Sequence, residues 1–90
     1  MSAASRTVEV LNKRGLHARS SAKFVTLAAE CRATIEVEKD GNSVCGTSIM
    51  GLMMLGAAKG DSIIVHVSGD YAEQALAKLV ELVETRFGEE

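Results

Sequence analysis

Ala33-Thr34-Ile35-Glu36-Val37-Glu38-Lys39-Asp40-Gly41-Asn42-Ser43-Val44-Cys45 is the stretch that decides the fold. Over 33–39 apolar and polar residues alternate, with Ile35 and Val37 on one face and Thr34, Glu36 and Glu38 on the other. That is the period of a strand with one buried face. Asp40-Gly41 predicts a hairpin, because glycine accepts the positive φ that tight turns demand. A short strand around 43–45 returns. The middle of the chain is thus an antiparallel pair with one dry side, and a dry side needs a covering layer.

Outward from the hairpin the same reading continues. Residues 7–11 alternate, with Val8 and Val10 on one face, and predict a first strand. Residues 12–15 form a polar break. From Ala18 a helical pattern puts Ala18, Ala22, Val25 and Ala29 on one side, with Phe24, Leu27 and Ala28 beside them; Cys31-Arg32 ends it. Beyond the hairpin Gly46 breaks the strand, and Thr47-Ser48 can cap a short helix over 49–55. Gly60-Asp61 is a turn, 62–68 is a strand with Ile63, Val65 and Val67 on one face, and Gly69-Asp70 is a further turn. The last helix is expected over 72–87, with a wide stripe from Ala72 to Phe87. The order is βαββαβα. It predicts an α+β fold of two layers, helices on one side of a sheet and water on the other, in a split βαβ arrangement.

Ninety residues make one domain at most, and residues 1–5 are expected to be a disordered N-terminus. Apolar residues are 47% of the chain, but only Phe24, Tyr71 and Phe87 are aromatic. The core must be aliphatic. A net charge of −2 leaves no basic block able to neutralise a run of phosphates. With so few aromatics there is no base-stacking platform either. These facts argue against a nucleic-acid partner. Residues 1–6 lack the apolar region of a signal peptide. The longest mainly apolar run, 49–58, is ten residues with two glycines, far short of the roughly 20 that span a bilayer. A cytoplasmic protein without membrane insertion is expected. Cys31 and Cys45 are not a CxxC pair and read as two reduced, semi-buried thiols.

Gly15-Leu16-His17-Ala18-Arg19 lies where a strand gives way to a helix. The first N–H groups of a helix have no internal partners, and with the macrodipole they make an anion site. A phosphoryl group on His17 would lie over the N–H groups of Ala18 and Arg19, and the Arg19 guanidinium could add a charge-assisted contact. Gly15 lets the backbone turn the ring outward. Neutral imidazole is a nucleophile near pH 7, and phosphoryl transfer needs mainly positioning and charge stabilisation. Taken on local pattern alone, the plainer reading of His17, a helix-start residue beside an arginine, stands ahead of this chemistry. His66 reads as an ordinary strand residue facing away from the core. The two histidines suggest no metal site, and no cofactor is called for.

Ile49-Met50-Gly51-Leu52-Met53-Met54-Leu55 carries more apolar residues than a short helix can bury. Leu52 and Leu55 are expected mainly in the core, and Ile49, Met50 and Met53 mainly on a docking surface, where flexible methionine suits several partners. Ser48 most simply caps this helix. A kinase site there is the sharper reading, since a phosphate would place charge beside the apolar patch.

These residues together carry a resemblance. Gly15-Leu16-His17-Ala18-Arg19, Glu38-Lys39-Asp40-Gly41 and Ser48-Ile49-Met50-Gly51-Leu52-Met53-Met54-Leu55 resemble HPr, the histidine-containing phosphocarrier family of the bacterial phosphotransferase system, over roughly residues 6–87. Two separated motifs in the right order reverse the plainer reading of His17. The resemblance implies an open-faced sandwich, a four-stranded antiparallel sheet with three helices on one face. It implies that phosphorylated enzyme I charges His17, that a IIA-type protein or domain then receives the phosphoryl group, and that the protein is a carrier rather than an enzyme. Arg19 matches the family's active-site arginine, and Ser48 the serine modified by HPr kinase/phosphorylase. Ile49, Met50 and Met53 match its docking surface. A monomer is the natural form for such a carrier. One departure stands out: many members have proline where this chain has Ser20. That predicts a somewhat looser helix start and leaves both the sugar-transport and the nitrogen-related regulatory branches open. Two other readings are weighed beside the carrier: a regulatory binding module of the same fold, answering to the state of His17 or Ser48, and a small metabolite-binding βαββαβ domain. The last would need a pocket of converging polar groups, and the sequence offers no such cluster.

Overall fold

The computed structural model describes residues 2–89. Strand β1 (Ser2–Glu9) is followed by helix α1 (Ala18–Glu30), the hairpin β2 (Ala33–Lys39) and β3 (Asn42–Cys45), the short helix α2 (Ile49–Met54), strand β4 (Ser62–Gly69) and helix α3 (Ala72–Glu84). A 3-10 turn, Arg86–Gly88, closes the succession. The sheet order is β1-β4-β2-β3, and every neighbouring pair is antiparallel.

Register aligns the apolar faces. Val8 lies opposite Ile63, and Val37 lies between Val65 and Val44. These side chains face the helices and are buried or nearly so, together with Phe24 of α1, Leu52 of α2 and Leu79 and Val83 of α3. The other face stays wet: Thr34, Glu36 and Ser68 are exposed, and His66 is half-exposed with Nε2 2.9 Å from Glu38 Oε1. Helix α3 rests on β1 and β4, and α1 packs on both α2 and α3. The expected open-faced sandwich is the fold observed.

Two ends differ from expectation. The first strand starts at Ser2 and stops at Glu9, so residues 2–5 are ordered rather than loose; Met1 lies outside the described residues. These residues lack the alternating apolar pattern because their order comes from ladder bonds to 66–69 of β4, with Ser2 Oγ donating to Gly69 O at 3.0 Å. Val10 leaves the strand yet stays buried, tied to the next turn by bonds of 2.8 Å with Asp61 and Gly60. At the other end α3 stops at Glu84, three residues before the predicted limit of Phe87. Arg86 and Phe87 take positive φ, 60° and 55°, which reverses the chain and still delivers the Phe87 ring to the core, 1% exposed. The apolar stripe foretold the burial of Phe87 but not the backbone that achieves it.

Candidate functional site

The site forms where the loop after β1 meets the start of α1. Gly15 has φ +63°, and a Cβ there would lie 2.2 Å from the Ala57 carbonyl oxygen. Only glycine tolerates both the conformation and the approach. That approach lets Leu16 N–H donate to the same carbonyl at 3.0 Å, which fastens the loop to the chain just past α2. Leu16 is buried, and the next residue, His17, is thereby set on the helix end.

His17 is the N-cap of α1, with extended backbone (φ −94°, ψ −176°). Its Nδ1 accepts from Arg19 N–H at 3.2 Å. Ser20 completes the cap from the other side: its Oγ accepts from His17 N–H at 3.1 Å and lies 2.8 Å from the Gly15 carbonyl, to which it donates. This is a capping-box arrangement with a histidine ring as one acceptor. The expected looser helix start is therefore corrected. Ser20 is fully buried and makes side-chain bonds that no proline could make. Arg19 N–H, expected to be free for an anion, is engaged by Nδ1 in this state.

The second ring nitrogen has a partner too. His17 Nε2 lies 2.8 Å from Glu89 Oε2, and Asn12 Nδ2 donates to Glu89 Oε1 at 3.1 Å and to the Gly15 carbonyl at 2.8 Å. Both partners of the Asn12 amide are acceptors, so its nitrogen must face them. The ring's tautomer follows from the same logic. Nδ1 takes a backbone N–H and so holds a lone pair; Nε2 faces a carboxylate and so carries the proton. The His17 and Glu89 side chains are 15% and 18% exposed, reachable but partly shielded from water. Burial pushes the Glu89 carboxyl up, yet the hydrogen bonds from Asn12 and His17, with the charge of Lys23 nearby, more than reverse this and hold it below the ordinary carboxylate value.

A cleft of about 230 Å³ opens beside the ring, lined by Lys13, Arg14, His17, Arg19 and Glu89. Three of its five residues are permanent cations, so an anion is drawn towards the nucleophilic edge of the ring. Lys13, Arg14, Asn12 and Glu89 escaped the sequence reading. The first three sit in what reads as a plain polar break, and Glu89 stands 72 positions from His17.

At α2 the structure places the predicted residues closely. Ser48 is the N-cap, its Oγ accepting from Gly51 N–H at 2.9 Å. Leu52 is buried and Leu55 half-buried, whereas Met50 is 69% exposed and Ile49 and Met53 about 40%. Met54 is more exposed still, at 80%, and extends the apolar surface beyond the three residues expected. Cys31 is half-buried, but Cys45 is exposed rather than semi-buried. Its thiol is pulled below the ordinary value, chiefly by hydrogen bonds to Thr47. Among the described residues no group of His, Cys, Asp and Glu is placed to hold a metal, and no helix is long and apolar enough to cross a membrane.

Known proteins resemble this chain along nearly its whole length. Residues 4–85 match the family model described as the PTS HPr component phosphorylation site. The phosphocarrier protein HPr of Neisseria meningitidis is 43% identical over 84 residues, 93% of this chain and 94% of that protein. The phosphocarrier protein NPr of Shewanella violacea is 35% identical over 89 residues, 99% of this chain and 98% of that one. A crystal structure of HPr from Thermoanaerobacter tengcongensis superposes with a TM-score of 0.92 at 45% identity, covering 97% of this chain and 98% of that one.

Proposed function

We infer the reaction from the family to which this chain belongs, the HPr phosphocarriers of the phosphotransferase system: His17 accepts a phosphoryl group from phosphorylated enzyme I and passes it to a IIA-type protein or domain. The observation that supports this most is the lone pair of His17 Nδ1, held at the N-terminus of α1 beside a basic cleft. Nδ1 attacks phosphorus, the Nδ1–P bond forms, and the bond from phosphorus to the donor breaks with its electron pair leaving on the donor. Nε2 keeps its proton throughout. The Nδ1 lone pair cannot serve both bonds, so Arg19 N–H is released as phosphorus arrives and turns to the phosphoryl oxygens. The helix N-terminus and the guanidinium of Arg19 hold the negative charge there.

A carrier must also release its cargo. Moderate binding in a part-open cleft keeps the phosphoryl group transferable, where a deep pocket would trap it. The exposed Ile49, Met50, Met53 and Met54 give successive partners one apolar surface on α2, and α1 packs against that helix. The carrier acts as a cytoplasmic monomer, itself the covalent intermediate between two enzymes. Ser48 is its regulatory site. Phosphate on the Ser48 hydroxyl would keep the favour of the α2 N-terminus while placing about two negative charges at the foot of the apolar surface, which opposes docking.

Incubation with enzyme I and phosphoenolpyruvate, followed by intact mass, tests the reading. One added phosphoryl group, lost in acid and absent from His17→Ala, is the expected result. No addition to the wild type, with a known HPr charged in the same tube, would overturn it.

A further inference from the structure

We propose that Glu89 is a positioning residue for this transfer: its carboxylate, anchored by Asn12, fixes the ring proton of His17 on Nε2 and offsets the positive charge the ring gains when Nδ1 bonds phosphorus. The inference rests on His17 being the acceptor. It begins from the path of the chain after α3. A helix continued past Glu84 would carry residue 89 onward along the axis of α3. Instead three consecutive residues, Arg86, Phe87 and Gly88, adopt positive φ. For Arg and Phe that is a strained conformation which the surroundings must over-determine.

Two contacts do so. The Phe87 ring is buried, and Lys23 Nζ of α1 donates to the Phe87 carbonyl at 2.7 Å. The reversal ends with the Glu89 carboxylate against His17. On its far side the carboxylate meets Asn12, a fully buried amide that also grips the Gly15 carbonyl. Packing alone would not need a buried amide aimed at a carboxylate. A device for orienting an imidazole would, because a ring nitrogen is committed to one tautomer by the bond its other nitrogen makes.

The charge balance points the same way. Before transfer the ring is neutral, with its proton on Nε2. Forming the Nδ1–P bond uses the Nδ1 pair and leaves the ring cationic, with that proton still on Nε2 and shared with Glu89 Oε2. No proton has to leave or arrive. The ionised carboxylate thus stabilises the charged product more than the neutral starting ring, the difference on which rate depends. Lys13, Arg14 and Arg19 line the same cleft, and Lys23 reaches the Phe87 carbonyl in the turn that carries Glu89. Their charges keep one carboxylate from repelling the incoming phosphoryl group.

Nitrogen-15 NMR of the His17 ring in the full chain, at a pH where it is neutral, reads the proton position directly. The rate of charging by enzyme I is measured on the same samples. Wild type is expected to show the Nε2–H form alone. Glu89→Ala, with only the Arg19 N–H bond left to hold the tautomer, should gain a detectable Nδ1–H fraction and charge about 10-fold more slowly, and Glu89→Asp should recover most of both. Altered packing alone would not change which nitrogen holds the proton. A Glu89→Ala protein that keeps the single Nε2–H form and charges at the wild-type rate, or faster, would overturn the proposal. A wild type that takes no phosphoryl group would overturn the acceptor reading itself, a different failure.

Discussion

Replacing Gly15 by alanine should be the most damaging single methyl addition near the site, and the structure supplies its own control. Gly15 and Gly56 have nearly equal φ, +63° and +66°. The conformational penalty for alanine is therefore shared, about 1 kcal/mol. The surroundings differ. At Gly56 nothing lies within 4 Å of the added Cβ, whereas at Gly15 the Ala57 carbonyl oxygen is 2.2 Å away and Ala58 Cα 2.8 Å. Both obstacles are backbone, so they cannot swing aside as a side-chain tip would. Overpacking of this kind adds about 1–3 kcal/mol, and retreat of the loop strains the bond from Leu16 N–H to Ala57. Gly56→Ala should cost about 1 kcal/mol and Gly15→Ala about 2–4 kcal/mol. In a domain of this size each 1 kcal/mol lowers Tm by about 4–8 °C. Urea unfolding with a common m-value measures both variants. Equal losses would refute the reasoning, because they would mean that the close approach to Ala57 contributes nothing.

Other consequences follow from the site. Ser20→Ala leaves Gly15 O and His17 N–H without the hydroxyl that bridges them. It should cost about 1–2 kcal/mol by urea unfolding and slow charging by enzyme I. Glu89 should make stability depend on acid. Its folded pKa is depressed, so its contribution is complete above the unfolded value of about 4.3 and fades as pH falls through the lower native value. Wild type should exceed Glu89→Ala by under about 1 kcal/mol at pH 6, since the pair is part-exposed, and the gap should close under stronger acid. Exposed Cys45, its thiolate favoured by Thr47, should be alkylated by iodoacetamide before half-buried Cys31, as peptide mass mapping at timed quenches would show.

The legible parts of the fold are those governed by local pattern. The β2–β3 hairpin announces itself by alternation around Asp40-Gly41, and β2 spans the predicted residues. Ser48 and the helix it caps, and His17 at the start of α1, are also local, since capping is a matter of a few consecutive residues. What escaped depends on distant partners. Residues 2–5 join the sheet through ladder bonds to β4, which leave no hydrophobic trace in their sequence. Ser20 is the exception, since its partners are near in sequence: it looks like a neutral replacement for proline until its hydroxyl is seen between Gly15 and His17. Glu89 reaches His17 only because Arg86 and Phe87 adopt conformations that side-chain-bearing residues usually avoid. Such a reversal follows from the burial of Phe87, and burial at a chain bend has no periodicity to betray it.

The most direct measurement of the whole account is the position of the phosphoryl group in the charged, nitrogen-15-labelled protein. Phosphorus–nitrogen couplings and ring proton–nitrogen correlations distinguish the two ring nitrogens. The account predicts phosphorus on Nδ1 of His17, with the proton retained on Nε2. Phosphorus on Nε2 of His17, or on His66, would contradict it.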